Sequence, residues 1–231
     1  MTPMPWTFRV GILGGTGTEG RGLALRFAHA GVAVAIGSRD RQRAEELTAS
    51  LNEQWAGSDR FVPMQGASNA VVAASAEFTI LAVPFAHATD MLRNCASAMQ
   101  AGAVVIDVTV PLAFTAGQKS VGTIDLPEGS GSRHLAGCIP PGVDLVAAFK
   151  TIPAHLLGHF EESLDCDEFV CGDSSGARRR VVELLQLIPG LRPIDIGGLE
   201  GAATLERMCA LAVSINRLYK VKGSRFRVVG F

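Results

Sequence analysis

Short apolar runs alternate with longer amphipathic segments over the first 110 residues of the chain. Glycine or proline bounds most of the runs, as is typical of buried strands, and the segments between them have apolar residues at helical spacing. The predicted strands are 7–13, 32–37, 60–66 (weakened by Pro63), 78–83 and 103–110, and the predicted helices are 20–31, 39–56, 68–76 and 85–99. This alternation predicts right-handed βαβ units and a parallel sheet covered on both faces.

The pattern becomes less regular after residue 110. Residues 113–143 are rich in glycine, serine and proline, which predicts a long connection of a functional or mobile kind. Beyond it we expect short elements within 144–158, 167–173 and 190–197, helices near 174–187 and 199–221, and a final strand over 225–231. The apolar stretch MCALAVSI in the last helix predicts either core packing or a homodimer interface.

A glycine-rich turn follows the first predicted strand and opens the first helix. Gly15, Gly17 and Gly20 form the pattern G-x-G-x-x-G within GGTGTEG. Small residues allow the backbone to approach a pyrophosphate, and the helix N-terminus offers free N–H groups to it. This context favours a dinucleotide site over a turn that binds nothing. Glu19 is unusual there, because a carboxylate repels a pyrophosphate unless it points away.

We therefore predict an α/β fold, a Rossmann-type doubly wound parallel sheet with a small C-terminal extension. Residues 1–150 would form the dinucleotide-binding domain. Residues 151–231 would form a smaller part that serves substrate binding or dimerisation.

The end of the second predicted strand favours NADP over NAD. NAD-binding domains carry an acid at this point, which accepts a hydrogen bond from the ribose 2′-hydroxyl. Here Ser38 and Arg39 replace the acid, and Arg43 lies one helical turn beyond Arg39. A hydroxyl donor and a guanidinium suit the 2′-phosphate of NADP. The alternative is a solvated start of a charged helix.

Composition narrows the function further. The 231 residues carry a net charge of −1, so no nucleic-acid or membrane-surface partner is expected. Five cysteines without a CxxC pair predict reduced thiols. His155 and His159 lack a third ligand at suitable spacing, so no metal is expected. Without an apolar run long enough for a membrane span, or a signal-peptide pattern at the N-terminus, we expect a cytoplasmic protein.

Six segments over nearly the whole chain are similar to those of one enzyme family. They are GILGGTGTEGRGLALRFAHAG, AIGSRDRQRAE, AVPFAHA, FKTIPA, VCGD and GLRPIDIGGLE. In this order they resemble the NADPH-dependent reductases of the deazaflavin coenzyme F420 (8-hydroxy-5-deazaflavin). The resemblance implies an oxidoreductase that transfers hydride between NADP(H) and a deazaflavin, or a related flavin, as its small-molecule partner.

The motifs and the resemblance together imply the contact residues. The predicted cofactor-binding residues are Gly15, Thr16, Gly17, Thr18, Glu19, Gly20, Ser38, Arg39, Arg43, Val83, Phe85, Thr89, Ala148 and Ala154. The predicted substrate-binding residues are Lys150, Thr151, Ile152 and Pro153, of which Lys150 departs from the family's usual His or Asn. Ring-to-ring hydride transfer needs stacked rings and a dry cleft, so no acid–base catalytic residue is assigned.

Two alternatives remain open from the sequence. The first is an NADPH-dependent reductase of a flavin, a ferric chelate, an imine or another small acceptor. The second is a redox sensor that binds NADP without turnover. A panel of acceptors separates the two alternatives. A sensor binds NADPH but does not oxidise it, whichever acceptor is supplied, whereas a reductase oxidises NADPH with its own acceptor.

Overall fold

The computed structural model describes residues 8–230, so the predictions that concern residues 1–7 and Phe231 lie outside the described residues. In chain order the helices and strands are β1 (Phe8–Leu13), α1 (Thr18–His29), β2 (Val34–Ser38), α2 (Arg41–Gln54), β3 (Gln65–Ser68), α3 (Asn69–Ser75), β4 (Ala76–Leu81), α4 (Phe85–Ala96), β5 (Val104–Asp107), β6 (Leu112–Phe114), β7 (Val121–Thr123), α5 (Gly131–Ala136), β8 (Asp144–Ala147), α6 (Ala154–Gly158), β9 (Cys166–Val170), α7 (Ser175–Leu185), β10 (Leu191–Asp195) and α8 (Ala202–Tyr219).

A six-stranded sheet of order β3-β2-β1-β4-β5-β8 forms the centre of the fold, and all its strand pairs are parallel. The chain winds outward from β1 to β3 and then returns to place β4 on the other side of β1. The loops after β1 and β4 therefore diverge, and this switch point is where open α/β sheets bind ligands. The prediction of a Rossmann-type doubly wound sheet is confirmed.

Alternate strand residues pack into two separate hydrophobic cores, one on each face of the sheet. Ile12 of β1 belongs to the core that includes residues of α1, α2 and α7, whereas its neighbour Leu13 belongs to the core that includes residues of α3, α4, α5 and α8. Both side chains are fully buried. Helices on both faces explain why the strands are apolar along their whole length rather than alternating with polar residues.

The bounds of the predicted strands shift in the structure, and the shifts of the third, fourth and fifth strands are the largest. The third strand begins only at Gln65. The residues before it, which include Pro63, form turns and irregular backbone. β4 and β5 end two and three residues earlier than predicted, at Leu81 and Asp107. The residues released from these two strands, 82–83 and 108–110, line the functional groove described below.

The segment after β5 contains more structure than predicted. Strands β6 and β7 form an antiparallel hairpin, and α5 follows it. The hairpin packs on α8, where Ser214 Oγ accepts a hydrogen bond of 2.8 Å from the Val121 N–H. Within residues 113–143, β7 and α5 thus contact the last helix.

The prediction of a final strand over 225–231 is wrong for the described residues 225–230. The segment crosses the edge of β9 instead of pairing along it. Asp167 donates its N–H to the Phe226 carbonyl, and its carboxylate accepts the Val228 N–H. Side-chain contacts with Asp165 and Asp167 replace the backbone ladder that the alternation of residues suggested.

The division at residue 150 stays a prediction. Strands β9 and β10 form a separate parallel pair, which an antiparallel bridge between Ala147 and Cys171 attaches to β8. Within the described part of the chain, no helix is long and apolar enough to cross a membrane. The same residues contain no group of three or more His, Cys, Asp or Glu side chains that could hold a metal ion.

Candidate functional site

Two adjoining cavities open at the switch point between β1 and β4. The first, which we call the Arg39 cavity, has a volume of about 590 Å³ and lies beside the end of β2. The second, the Thr151 cavity, has a volume of about 470 Å³ and reaches the segment after β8 and the helix α8. They join into one groove because they share the lining residues Gly17, Ala82, Val83 and Pro84.

The glycine turn forms the floor between the two cavities. Gly14 has a φ of +70°, a conformation that favours glycine, and Gly20 packs so closely on Gly15 that a Cβ at residue 20 would lie 2.6 Å from the Gly15 Cα. Gly17 differs, since its added Cβ would meet nothing nearer than the Gly14 carbonyl at 3.6 Å. Gly15 and Gly20 therefore shape the turn, whereas Gly17 leaves space in the groove.

Asn69 anchors this turn and was missed by the sequence analysis. Its side-chain oxygen accepts a hydrogen bond of 3.1 Å from the Gly14 N–H, and the residue lines the Arg39 cavity while being 7% exposed. A polar residue between the third strand and the next helix was the available signal. This signal could not reveal the anchor, because the hydrogen bond joins two residues that are 55 positions apart in the sequence.

The predicted phosphate-binding residues Ser38, Arg39 and Arg43 all line the Arg39 cavity. Ser38 is buried, and its hydroxyl accepts the Asp40 N–H at 3.2 Å. Arg39 and Arg43 are exposed, and neither guanidinium group pairs with a carboxylate among the residues the structure describes. Asp40 caps helix α2 by accepting the Arg43 N–H, so its carboxylate is partly neutralised by the helix.

Glu19 lies in the wall of the Thr151 cavity, in the first turn of α1. Burial raises the pKa of its carboxyl to about 7; the positive charge of Lys150 lowers the pKa and the negative charge of Asp107 raises it, both by less. Burial thus favours the neutral acid, which repels an anionic ligand less than a carboxylate does.

Lys150 belongs to a buried polar network rather than offering a free ammonium to the groove. Its Nζ donates to Asp107 Oδ2 at 2.9 Å and to the Thr109 carbonyl, and lies 3.8 Å from Glu206 Oε1. Ser132 bridges the two acids, with its Oγ 2.6 Å from Asp107 Oδ2. The network ties β5, α5 and α8 to the residue that precedes Thr151.

Thr151 lines the second cavity and contacts a buried acid behind the wall. Its Oγ1 lies 3.3 Å from Glu168 Oε2. Glu168 is fully buried on β9, and burial raises the pKa of its carboxyl to about 8. Cys209 lines the same cavity, and burial raises the pKa of its thiol to about 11, so it is not a nucleophile at neutral pH.

Most of the other predicted contact residues also reach the groove. Those that line the Thr151 cavity are Thr18, Phe85, Ile152, Pro153 and Ala154, while Thr16 lines the Arg39 cavity. Thr89 and Ala148 line neither cavity. Thr89 Oγ1 lies 3.1 Å from His134 Nε2, and Ala148 is fully buried at the end of β8.

Helix α8 contributes a wall that the sequence analysis assigned only to core or interface. Cys209, Ala212, Val213 and Asn216 of α8 line the Thr151 cavity, and Ser224 beyond the helix completes this side. They are small or medium-sized residues at helical spacing on one face. That pattern does not distinguish a cavity wall from a packed core.

The groove fits a dinucleotide that extends from the Arg39 cavity over Gly17 into the Thr151 cavity. Unpaired guanidinium groups at one end suit a phosphate, the open space at Gly17 and the N-terminus of α1 suit a pyrophosphate, and the mostly apolar second cavity suits aromatic rings. Each cavity is within the range of about 300–1,000 Å³ that is usual for small-molecule sites.

Comparisons with known proteins agree with this geometry. The family model "NADP oxidoreductase coenzyme F420-dependent" matches residues 9–111. The F420-dependent NADP reductase of Methanothermobacter thermautotrophicus is 37% identical over 221 residues, which cover 95% of this chain and 94% of that protein. The enzyme of the same name from Methanocaldococcus jannaschii is 30% identical, over 95% of this chain and 97% of its own length.

A solved structure from Arthrobacter sp. FB24 shares the fold, with a TM-score of 0.78 and 24% identity over 96% of this chain and 99% of that one. The relatives from Methanothermobacter thermautotrophicus and Methanocaldococcus jannaschii thus match this chain over nearly its whole length and nearly their own. The chain therefore belongs to the family of F420-dependent NADP oxidoreductases.

Proposed function

We propose that this protein is an NADP-dependent oxidoreductase that transfers hydride between NADP(H) and a deazaflavin coenzyme of the F420 type. The observation that carries the proposal is the single groove, in which an end lined by the guanidinium groups of Arg39 and Arg43 and an apolar end meet at Gly17. The relatives from the two Methanothermobacter species and Methanocaldococcus jannaschii are named F420-dependent NADP reductases, which supports NADP(H) and coenzyme F420 as the two substrates.

The two ends of the groove would bind different parts of the two substrates. Ser38, Arg39 and Arg43 would hold the 2′-phosphate, and the turn from Thr16 to Glu19 would hold the pyrophosphate. The side chains of Phe85 and Ile152 would enclose the two rings in the Thr151 cavity.

The bound nicotinamide and deazaflavin would supply the chemistry, a hydride transfer between two ring carbons. The protein's contribution is to place the rings in contact and to exclude water. Apolar side chains such as Val83, Phe85 and Ile152 line the Thr151 cavity, which suits this role. Lys150 is held by acceptors of the protein itself, so its network supports the wall instead of moving a proton.

The proposal predicts that Ile152→Ala slows turnover with the deazaflavin at least about 10-fold, because a wall of the ring site is lost. NADPH affinity should change little. His87 lines the Arg39 cavity instead, and His87→Ala should retain most activity. Steady-state kinetics beside NADPH titration checks both variants. The opposite result would be a fall in the turnover of His87→Ala by ~10²-fold or more, as expected for the loss of a general acid or base, with normal turnover of Ile152→Ala. A reaction that requires protonation of the substrate, such as imine reduction, would then be the better account.

An acceptor panel tests the proposed substrate against the alternatives. NADPH consumption is followed with the deazaflavin coenzyme, FMN, FAD and a ferric chelate. The proposal expects the deazaflavin to be reduced with the highest kcat/KM. A higher kcat/KM with a flavin or a ferric chelate would contradict the deazaflavin as the substrate and favour that acceptor instead. NADPH binding without oxidation by any acceptor would indicate a sensor.

We further propose a homodimer that uses the exposed side of α8. Leu211, Leu218 and Tyr219 are large apolar side chains of this helix that are 52–70% exposed. Exposed apolar area of this kind favours association. Light scattering should give the mass of a dimer, and Leu218→Glu should give a monomer; a monomeric parent protein at working concentration would contradict this. The C-terminal residues 151–231 would then serve both dimerisation and the substrate wall.

The cytoplasmic location stays a prediction. It is supported by the thiols, since all five cysteines are free and three of them are buried.

A further inference from the structure

Glu168 is a fully buried acid whose presence behind the Thr151 cavity the proposed function does not explain. Its side chain points from β9 towards the segment after β8, on the face opposite to Asp167, which is paired with Arg192. One carboxyl oxygen, Oε2, is 3.3 Å from Thr151 Oγ1. The other, Oε1, makes no hydrogen bond of normal geometry within the described part of the chain.

The surroundings of Glu168 favour a neutral carboxylic acid. Burial raises the pKa of its carboxyl to about 8; the backbone N–H groups of Phe149 and Lys150, the Thr151 hydroxyl and the charge of Lys150 lower the pKa by smaller amounts. Two other titratable groups interact with it, the thiols of Cys166 on β9 and Cys209 on α8. Burial raises the pKa of each thiol to about 11, so both stay neutral while Glu168 titrates.

The direction of the Thr151 hydroxyl follows from the state of Glu168. A neutral acid donates its O–H to Thr151 Oγ1, and the threonine proton is then free to point into the cavity. A carboxylate accepts that proton instead, and the hydroxyl can then only accept from a ligand. Resting on the proposed function, we propose that Glu168 is a positioning residue of the acceptor site, which turns the Thr151 hydroxyl into a hydrogen-bond donor to a carbonyl oxygen or ring nitrogen of the bound deazaflavin.

The backbone beside Thr151 supports this role. Phe149 is fully buried with a φ of +60°, in the left-handed region that a residue with a side chain seldom adopts. Such strain persists where the surrounding structure fixes it, and it is common at binding sites. The N–H groups of this turn face the Glu168 carboxyl, so the same acid holds both the turn and the hydroxyl.

The test measures the dissociation constant of an 8-O-methyl deazaflavin, which lacks the ionising hydroxyl, at about pH 6.5 and about pH 9.5, on either side of the Glu168 pKa. For the parent protein the dissociation constant should rise roughly 3- to 10-fold at the higher pH. This change corresponds to the loss of one hydrogen bond between the Thr151 hydroxyl and the deazaflavin. Glu168→Gln should remove the rise, because an amide donates at every pH. Thr151→Val should show the weak binding at both pH values, and Thr151→Ser should behave as the parent. NADPH affinity should be unchanged in all three variants.

Infrared difference spectra of the free protein give a readout without any ligand. The C=O stretch of protonated carboxylic acids should contain a component that disappears as the pH rises through about 8, and Glu168→Gln should lack this component. Glu19 contributes a separate component that disappears as the pH rises through about 7. Glu19→Gln is the matched control, since Glu19 is the other acid of the cavity with a raised pKa and its replacement should leave the Glu168 component in place.

Two results would overturn the inference alone: deazaflavin binding that is independent of pH in the parent protein, or a rise in the dissociation constant that Glu168→Gln retains. Absence of deazaflavin binding at every pH would instead overturn the proposed function, and the inference with it.

Discussion

Gly17→Val should abolish the binding of NADPH while leaving the protein folded. A Cβ at residue 17 has no neighbour nearer than 3.6 Å, so the fold has room for a side chain there. The branched side chain would instead fill the junction of the two cavities, which the pyrophosphate needs. We expect affinity to fall more than about 100-fold, or about 2.8 kcal/mol, by fluorescence titration.

Gly20→Ala is the contrasting variant. Its Cβ would lie 2.6 Å from the Gly15 Cα, so this change should lower the free energy of unfolding as well as the affinity. Circular dichroism and thermal unfolding of both variants separate the two effects. Normal NADPH affinity in a folded Gly17→Val protein would mean that the dinucleotide binds outside the groove.

Arg39→Ala should weaken NADPH binding by about 1.5–3 kcal/mol, the range for a hydrogen bond to a charged group. The guanidinium lines its cavity without a carboxylate partner among the described residues, so a phosphate would not have to compete for it. NADH lacks the 2′-phosphate, and its affinity should be nearly unchanged. Titration of each variant with both dinucleotides gives the comparison.

Arg41→Ala provides the matched control for this prediction. Arg41 is on the same helix, but it pairs with Glu45 at 2.7 Å and lines neither cavity. Its loss should leave both affinities unchanged. Equal losses of NADPH and NADH affinity in Arg39→Ala would contradict the assignment of Arg39 to the 2′-phosphate.

The sheet and the glycine turn could be predicted because their signals are local. Apolar runs mark β1, β2, β4 and β5, and the residues of the turn follow one another in the chain. The hairpin β6–β7 could not be predicted, since its short strands are stabilised by contacts with α8, for example from Val121 to Ser214. The final strand was predicted wrongly for a similar reason, because the contacts of its residues with Asp165 and Asp167 lie far away in sequence.

The candidate site shows the same distinction. That Ser38, Arg39 and Arg43 lie together could be predicted, since all three are within one strand end and the following helical turn. The buried partners of Lys150 could not be, because Asp107 and Glu206 come from β5 and α8. The assignment of Lys150 to the substrate stays a prediction: the residue lines the Thr151 cavity, and its ammonium is hydrogen-bonded to Asp107 and to the Thr109 carbonyl.

The most direct test of the proposed reaction is isotope transfer. NADPH that carries deuterium at the nicotinamide C4, in the pro-R or the pro-S position, is incubated with the protein and the deazaflavin coenzyme, and the reduced coenzyme is analysed by mass spectrometry. Direct transfer between stacked rings predicts that one of the two labels moves completely to the ring of the coenzyme, with no exchange into water. Reduced coenzyme without deuterium from either label, or no reduction at all, would contradict hydride transfer in this groove.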